Sequence, residues 1–429
     1  MESSERNLLN EISTYVDENA DEMTSKLRGL ISIPTENPPG NNYAEMAKLL
    51  SNDLSKLDYE TQLIKVPDDL QTKFAPHGEG LPRVNVIAKL RGHTKKPVIH
   101  LNGHFDVVPA GGGWSCDPFA GTVSNGKIYG RGSTDMKSGI VAQIFAVEAL
   151  RHATQELGLH IEGSIEHSFT CDEETGGFAG LGYLIDEGYI DPPHLNHICI
   201  TEPTDAKYII VGHRGVLWFQ IRTHGKKAHA GKAKLGVNAI DHMATLINKI
   251  TTELRPKIET KRDSEVIPGE GCIPTITPTI INAGLSMNIV PDVCLAKFDR
   301  RLSTKENTKD ALTEIEKVLQ AASREEPQLR YDLERLMTQE PVKFPRDTRI
   351  ATAIGSSIAE VMGVKPEFGI LAATCDLKFL AKAGMNECLA YGPGLVHNSH
   401  VTDEYVTAQN LKNATKVTAY SLGKLLLKW

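Results

Sequence analysis

The amino-acid sequence predicts an α/β fold in its first half and a smaller α+β domain after it. Three observations lead to this prediction. Strand-like and helix-like segments alternate over residues 1–208, as they do in a sheet covered by helices. From about residue 209 the order becomes strand, helix, strand, strand, helix, which suits helices on one face of a mostly antiparallel sheet. The length of 429 residues is typical of two or three domains.

Apolar spacing and chain breakers define the elements of the first part. Ile12, Val16, Met23 and Leu27 recur at helical spacing, and the proline-rich stretch 31–40 ends that helix. The predicted helices and strands of this part are, in turn, helices 10–30, 43–57 and 138–151 and strands 84–90, 97–101, 164–170 and 197–200.

In the second part, residues 216–223 alternate between apolar and polar like a sheet strand, and β-branched residues mark two further strands. A last amphipathic segment near the C-terminus predicts a closing helix. The remaining elements predicted here are helices 237–254, 305–322 and 408–427 and strands 274–285 and 289–301.

Charge and composition exclude two classes of partner. The net charge is −7 and acids and bases are interleaved without a basic stripe, which argues against a nucleic-acid surface. No segment approaches membrane-spanning length, and residues 1–10 lack an apolar signal core. The seven cysteines include no Cys-x-x-Cys pair, which favours a reducing compartment and argues against a thiolate zinc site. We therefore expect a cytosolic protein.

His104 stands at the end of a predicted strand, with Asp106 two residues further on. Residues i and i+2 of an extended segment point the same way, so Asp106 can accept the second ring N–H of a ligand histidine and fix its tautomer. The alternative is a capped loop that carries one polar histidine.

Acidic and histidine side chains follow three further strand-like segments. Residues 172–174 read Asp-Glu-Glu, Glu202 follows the next strand, and His397, His400 and the acidic pair 403–404 follow a Tyr-Gly-Pro-Gly turn. In open α/β sheets the ligand site lies outside the carboxyl ends of the strands. Groups of these types converging there can hold a pair of divalent metal ions.

On these motifs the sequence resembles the zinc-dependent amidohydrolases and exopeptidases that include acetylornithine deacetylase, succinyl-diaminopimelate desuccinylase, aminoacylase and glutamate carboxypeptidase. The resemblance runs from about residue 28 to the C-terminus and is greatest for the deacetylase and desuccinylase branch. The matching stretches are, in chain order, GHFDVVP, YGRGSTDMKSG, DEETGG, TEPT, GHRG, the segment around His229, NIVPD, and YGPG with SHVTDEYV.

The resemblance implies a mixed-sheet catalytic domain like that of the zinc exopeptidases, interrupted by an α+β (ferredoxin-like) lid or dimerisation domain. We expect the catalytic domain to comprise residues 1–208 and 326–429, and the inserted domain residues 209–325. A homodimer through the inserted domain is implied as well.

The resemblance also implies a dinuclear metal centre. Asp135 would bridge the two ions, His104 and Glu202 would complete the ligands of one, and Glu174 with His400 those of the other. Oxygen ligands with single histidines suit Zn²⁺, with Co²⁺ or Mn²⁺ as possible substitutes. In isolation, each carboxylate could equally be a solvated turn residue or a helix cap.

Catalytic roles follow from the same resemblance. Glu173 would be the general base that takes a proton from the bridging water, although Glu173 and Glu174 could exchange roles. Asp106 would orient His104. His229 would stabilise the tetrahedral oxyanion, often from the partner subunit in such enzymes; the alternative is a surface histidine in a lysine-rich loop.

His400 is preferred to His397 as the ligand because family members carry a histidine just before a short segment that ends in Asp/Asn-Glu-Tyr-Val. The residues after His400 fit this pattern, and those after His397 do not. We expect His397 to be a loop residue near the pocket.

Substrate contacts are implied for Asn288, Arg301, Thr374, Lys378 and Gly392. A guanidinium can grip a carboxylate with two hydrogen bonds, but Arg301 could instead pair with Asp299 or Glu306. Relatives usually carry two glycines where residues 372–373 are alanines, and an arginine where Lys378 stands. These departures put acetylornithine and succinylated diaminopimelate in doubt as substrates.

The resulting hypothesis is a dinuclear zinc amidohydrolase that cleaves the amide of an N-acylated amino acid or a related small carboxylate. The alternatives are a dipeptidase or carboxypeptidase, or an aminohydrolase that deaminates an aromatic amine acid, with the same machinery. A metal-binding relative without catalysis is disfavoured because the metal set and Glu173 are all present.

Overall fold

The structure, a computed structural model, describes residues 3–78, 80–267 and 269–428. The chain forms two compact units. The first comprises the residues up to Val211, Phe344–Gly369 and the residues from Cys375 onward, and the second comprises Gly212–Lys343 and Ile370–Thr374. The second unit contains most of the predicted inserted domain, residues 209–325, and continues beyond its predicted end.

Both units contain helices and strands. The helices are α1 (Ser3–Glu18), α2 (Ala20–Ile31), α3 (Tyr43–Ser55), α4 (Asp68–Phe74), α5 (Lys137–Glu156), α6 (Leu181–Asp186), α7 (Ala239–Lys249), α8 (Arg255–Glu259), α9 (Thr308–Glu325), α10 (Arg349–Met362), α11 (Leu377–Lys382) and α12 (Ala408–Leu426). The strands are β1 (Glu60–Lys65), β2 (Val84–Arg91), β3 (Val98–His104), β4 (Thr122–Ser124), β5 (Lys127–Tyr129), β6 (Ser164–Thr170), β7 (His197–Ile200), β8 (Tyr208–His213), β9 (Gly215–His224), β10 (Ala228–His229), β11 (Val266–Ile267), β12 (Thr275–Ala283), β13 (Ile289–Val290), β14 (Val293–Leu302), β15 (Arg330–Gln339), β16 (Val342–Lys343), β17 (Glu367–Leu371), β18 (Cys388–Ala390) and β19 (Tyr405–Thr407). In the described ranges, no helix is both long enough and apolar enough to cross a bilayer.

The first unit is built on a mixed sheet, which confirms the predicted α/β class. Its strand order is β1-β2-β6-β3-β7-β18-β8-β17. β3 pairs in parallel with β6 and with β7, and β18 pairs in parallel with β7, whereas β1 and β2 form an antiparallel edge. The carboxyl ends of β3, β6, β7 and β18 therefore meet at one end of the sheet, where a ligand site is expected.

Helix α5 anchors the core of the first unit. It is buried on almost every side, with Ile140, Phe145 and Leu150 among its buried residues, and it packs against α1 and α12. A helix that is apolar around its circumference belongs in a protein interior. Because α5 begins at Lys137, this packing fixes the position of the loop that precedes it.

The second unit is a four-stranded antiparallel sheet in the order β12-β14-β9-β15, with α7 and α9 packed on one face. Phe219 and Phe298 stack in its core with ring centroids 4.8 Å apart. β15 was not among the predicted strands. Its partial burial leaves little apolar alternation in the sequence, yet it pairs along nearly the whole of β9, and this pairing carries the unit past residue 325.

Candidate metal centre

The ring of His104, the last residue of β3, is oriented by a backbone carbonyl. Nδ1 lies 3.0 Å from the carbonyl oxygen of Asp106. A carbonyl only accepts hydrogen bonds, so Nδ1 carries the hydrogen and the lone pair of Nε2 remains for a metal ion. Nε2 lies 3.3 Å from Asp135 Oδ1 and 3.9 Å from Glu202 Oε1. The Asp106 carboxylate, expected to orient the ring, has Oδ1 3.4 Å from the same Nδ1.

The buried carboxylate of Asp106 mainly holds the loop that follows β6. It accepts the backbone N–H groups of Glu173 and Glu174, each at 3.1 Å, and the side-chain amide of Asn37 at 2.9 Å. Hydrogen bonds to a carboxylate from backbone N–H groups are among the stronger ones in proteins. Asp106 therefore fixes the backbone of two adjacent residues with different predicted roles.

Asp135 is common to two groups of candidate metal ligands. One group is His104, Asp135 and Glu202, and the other is Asp135, Glu174 and His400; within each, the donor atoms all lie within 4.8 Å of one another. His400 Nε2 lies 3.0 Å from Glu174 Oε1 and 3.4 Å from Asp135 Oδ2. The structure thus brings together all five predicted ligands, and Asp135 is the residue that the two groups share.

His397 belongs to neither group. It belongs to a short 3-10 turn, Val396–Asn398, and its side chain is exposed. His400 is the histidine whose ring nitrogen reaches the carboxylates, as the motif predicts.

The centre concentrates buried negative charge. Burial raises the pKa of Glu174 to about 7, and burial followed by the charge of Asp135 raises that of Glu202 well above its usual value. Burial acts on Asp135 in the same direction, but the neighbouring imidazoles of His104 and His400 outweigh it and lower the pKa of Asp135. Buried carboxylates are stable when they are paired or coordinate metals, so this donor set fits divalent cations.

Glu173 lies beside the ligand groups and belongs to neither of them. Its side chain is 10% exposed, and Oε1 lies 3.7 Å from the ammonium nitrogen of Lys378. Burial raises the pKa of Glu173, and Lys378 is the largest opposing influence. A buried carboxylate with a raised pKa next to a metal-ligand set is the environment expected of a general base.

A buried ion pair supports the same loop from behind and was missed in the sequence. Arg83 Nε donates to Asp172 Oδ2 at 2.9 Å, and both side chains are 1% exposed. Asp172 Oδ1 also accepts the hydroxyl of Tyr43 at 3.0 Å. Burial raises the pKa of Asp172 to about 6, which the arginine opposes. The only signal in the sequence was an Asp next to two Glu residues, with nothing to indicate a partner 89 residues away.

Glu404 supports the Asp135 loop in a similar way. Its carboxylate accepts the backbone N–H groups of Thr134 at 2.8 Å and Asp135 at 3.1 Å, and it pairs with Arg131. The sequence marked this residue only as part of an acidic pair in the C-terminal motif. It positions a candidate bridging ligand from a segment 269 residues further along the chain.

The remaining predicted residues fall into two groups by location. Gly392 and Lys378 lie in the first unit, whereas His229, Asn288, Arg301 and Thr374 lie in the second. A side chain on Gly392 would meet the carbonyl oxygen of Thr201 at 2.5 Å, so close packing requires glycine there. Arg301 makes a two-bond pair with Asp299, at 2.8 and 3.0 Å, which is one of the structural alternatives considered for it.

Comparison with known proteins identifies relatives over most of the chain. Residues 100–424 match the model of peptidase family M20/M25/M40. The succinyl-diaminopimelate desuccinylase of Sulfurimonas denitrificans is 30% identical over 328 residues, which cover 73% of this chain and 80% of that protein. A probable succinyl-diaminopimelate desuccinylase of Staphylococcus aureus is 28% identical over 423 residues, covering 93% and 97% of the two chains.

Solved structures resemble the fold as a whole. Human carnosine dipeptidase 1 has a TM-score of 0.72 at 19% identity and covers 97% of this chain and 99% of its own. An M20 family metallo-carboxypeptidase from Sulfolobus solfataricus has a TM-score of 0.72 at 20% identity, covering 94% and 99%. At these identities the likeness concerns the fold alone.

Proposed function

The chain belongs to peptidase family M20/M25/M40 and is a metal-dependent hydrolase, and we propose that it cleaves the amide bond of an N-acylated amino acid or a related small carboxylate. The observation that carries the proposal is the pair of ligand groups that share Asp135, with Glu173 beside them. Desuccinylases among its relatives agree with a substrate of this class.

We propose two divalent metal ions, Zn²⁺ in the first place and Co²⁺ or Mn²⁺ as substitutes, because each ligand group combines one histidine with carboxylates. When bound, such ions lower the pKa of a water molecule and polarise an amide carbonyl. The lone pair of His104 Nε2 and the carboxylates of Asp135, Glu174 and Glu202, with His400, would hold them.

Glu173 acts in this proposal as general base and then as general acid. Its carboxylate takes the proton of the attacking water and delivers it to the leaving nitrogen, so one group serves both halves of the reaction. The hydrogen bonds from its own N–H and that of Glu174 to Asp106 hold its backbone during both transfers. Burial of the side chain keeps solvent from exchanging that proton.

His229 is proposed to stabilise the oxyanion that forms at the attacked carbonyl. Its Nδ1 accepts the backbone N–H of Gly231 at 3.0 Å, so the hydrogen of the neutral ring lies on Nε2. Nε2–H is then a donor, and the side chain is exposed within its own unit. A prepositioned donor for an oxyanion typically contributes about 2.7–4 kcal/mol to lowering the barrier.

The substrate carboxylate is proposed to contact donors of Asn288, Arg301 and Thr374, and the family resemblance implies further contacts from Lys378 and Gly392. Ser286 donates its hydroxyl to Asn288 Oδ1 at 2.7 Å, which leaves the amide N–H donors of Asn288 for an anion. The Arg301 side chain is 31% exposed, and its guanidinium forms an ion pair with the Asp299 carboxylate. We therefore propose that several residues each contribute a contact to the substrate carboxylate.

We also propose a homodimer that forms through the second unit. β12 is an edge strand of its sheet, and edge strands can pair with another chain. Ile280, Ile281, Leu285 and Met287, on and just after it, are 47%, 56%, 83% and 102% exposed. Ile281→Lys should convert a dimer to a monomer in light scattering, whereas Val123→Lys, at an exposed apolar residue of the first unit, should leave it dimeric.

The proposed function is tested by primary-amine release from matched amides of one amino acid, supplied as the N-acetyl derivative, the N-succinyl derivative and a dipeptide. The protein is loaded with Zn²⁺, and the Glu173→Gln variant serves as the blank. Turnover of an acylated form, lost in the variant, supports the proposal. Turnover of dipeptides alone assigns the chain to the peptidases, and loss of ammonia from an aromatic amine acid assigns it to the aminohydrolases.

A further inference from the structure

A third buried charge lies beyond Glu173, on the side of the short helix α11. The Lys378 ammonium nitrogen is 3.7 Å from Glu173 Oε1 and 3.7 Å from Asp376 Oδ1. The Lys378 and Asp376 side chains are 6% and 1% exposed. One cation is thus shared between two buried carboxylates at equal distance.

Asp376 depends strongly on this lysine. Among the described residues, neither of its carboxylate oxygens has a hydrogen-bond partner. Burial raises the pKa of Asp376 to about 7, and Lys378 is the largest influence against that rise. A buried carboxylate without hydrogen bonds is costly, so the nearby Lys378 ammonium is the main group that compensates its charge.

Both side chains have close neighbours in the protein interior. A Cβ atom on Gly177 would lie 2.3 Å from Asp376 Oδ1, which shows how closely the carboxylate packs against the loop that carries Glu173. The Lys378 ammonium lies 5.0 Å from the ring centroid of Phe379, which borders it on another side. The Lys378 ammonium therefore lies between two carboxylates and beside one aromatic ring.

We propose that Lys378 is a positioning residue for Glu173, and that Asp376 holds the Lys378 ammonium back from a full ion pair with Glu173. This inference rests on the proposed function and differs from the substrate contact that the family resemblance implies for Lys378. A lysine bonded directly to Glu173 would occupy one of its carboxylate oxygens. A lysine shared with Asp376 orients the carboxylate and leaves one of its oxygens free for the water.

Two single variants separate the contributions. Lys378→Met removes the shared cation, and we expect kcat to fall about 10²-fold, as a misplaced catalytic group does, with KM changed less than about threefold. Asp376→Asn lets the ammonium approach Glu173, and we expect kcat to fall about tenfold. Lys378→Arg keeps the charge and should recover part of the loss. Lys382→Met removes an exposed lysine from the same helix, paired with Asp186, and should match the wild type.

The double variant Asp376→Asn/Lys378→Met tests whether Asp376 acts through the lysine. If it does, the double variant is no slower than Lys378→Met within about twofold, because a coupled pair is not additive. Multiplied losses in the double variant would overturn the inference. A raised KM with unchanged kcat in Lys378→Met would also overturn it and return Lys378 to a substrate contact.

A crystal structure of the Asp376→Asn variant gives a reading that does not need turnover. We expect the Lys378 ammonium within about 3 Å of the Glu173 carboxylate, the length of a charge-assisted hydrogen bond. An ammonium that stays 3.7 Å away or moves elsewhere would refute the inference even if Lys378→Met fails to fold. If the ammonium moves as expected but the wild type cleaves no amide, the proposed function fails and the positioning role stands.

Discussion

Two arginine–aspartate pairs contrast the candidate metal centre with the predicted substrate residues of the second unit. Arg83 Nε lies 2.9 Å from Asp172, and Arg301 Nε lies 2.8 Å from Asp299, so the contacts are nearly identical in length. Both side chains of the first pair are 1% exposed, whereas those of the second are 31% and 23% exposed. The same type of ion pair thus occurs once fully buried and once partly exposed to solvent.

The contrast extends to the residues around each pair. Around the metal centre, the backbone N–H groups of Glu173, Glu174 and Asp135 donate to the buried carboxylates of Asp106 and Glu404. His229 and Asn288, in contrast, are exposed and make hydrogen bonds mainly within their own loops. Burial fixes geometry because a displaced buried charge loses its compensation. An exposed hydrogen-bond donor can give up a bound water molecule or a neighbouring residue and bind a ligand instead. We infer that the proposed catalytic groups have a fixed geometry before substrate binds. The proposed substrate contacts, in contrast, can change their hydrogen-bond partners when substrate binds.

The largest expected effect falls on Glu173. Glu173→Gln keeps the size of the side chain and its backbone hydrogen bonds but removes the proposed base, so kcat should fall about 10³-fold, within the usual range for general-base catalysis. Metal content, measured by mass spectrometry of the dialysed protein, should stay at the wild-type value. Glu187→Gln, at an exposed residue nearby in the chain, is the control. Loss of one metal in Glu173→Gln would instead make Glu173 a ligand.

Arg83→Met should affect stability most. It leaves Asp172 buried without its cation, which typically costs about 3–5 kcal/mol, measured here by urea unfolding at pH 7. The folded-state pKa of Asp172, about 6, lies above the value of about 3.9 for an unfolded chain, so protonation favours folding as the pH falls. The deficit of the variant should therefore shrink between pH 7 and pH 4. A deficit that grows over that range would show that Asp172 is not the uncompensated group.

His229→Ala should separate activity from stability. If His229 is the oxyanion donor as proposed, kcat should fall about 10²–10³-fold, while the urea midpoint should change little because the side chain is exposed. His224→Ala removes another histidine of the second unit, paired with Asp332, and should leave kcat unchanged. Equal kcat values for the two variants would show that His229 is a surface residue without a catalytic role.

Arg301→Met gives the smallest expected change in stability and completes the comparison with Arg83. The loss of a half-exposed pair should cost less than about 1 kcal/mol in urea unfolding. If Arg301 contacts the substrate carboxylate, KM should rise about tenfold or more for N-acyl amino acids, with a smaller change for the corresponding amides of the carboxyl group. A stability loss as large as that of Arg83→Met would remove the distinction drawn between the two pairs.

Sequence reasoning located the candidate ligands because each follows a strand or belongs to a motif. His104 ends β3, Glu202 follows β7 closely, and the segment after His400 carries a recognisable pattern. Strands of this kind are identified by short-range apolar patterns, and parallel strands bring their ends together without further information. The predicted strands at 164–170 and 197–200 coincide with β6 and β7.

The supporting contacts could not be predicted in the same way. Arg83 with Asp172 and Glu404 with Thr134 join residues 89 and 270 positions apart, and no local pattern marks such partners. Nor does the sequence indicate that Asp376 and Lys378 share a buried space with Glu173. The end of the second unit was missed for a related reason, because β15 is recognisable by its pairing with β9 more than by its own composition.

The contacts of Glu404 determine at which stage of synthesis and folding the metal centre can form. His400 and Glu404 come late in the chain, yet one is a candidate ligand and the other holds the Asp135 loop through backbone hydrogen bonds. A ribosome must release this segment before it can dock, so the Glu174 and His400 group cannot assemble while translation of the preceding residues continues. Metal binding at the Glu174 and His400 group would then occur only after the segment with His400 and Glu404 has been synthesised. Binding there would indicate that this segment has docked on the rest of the first unit.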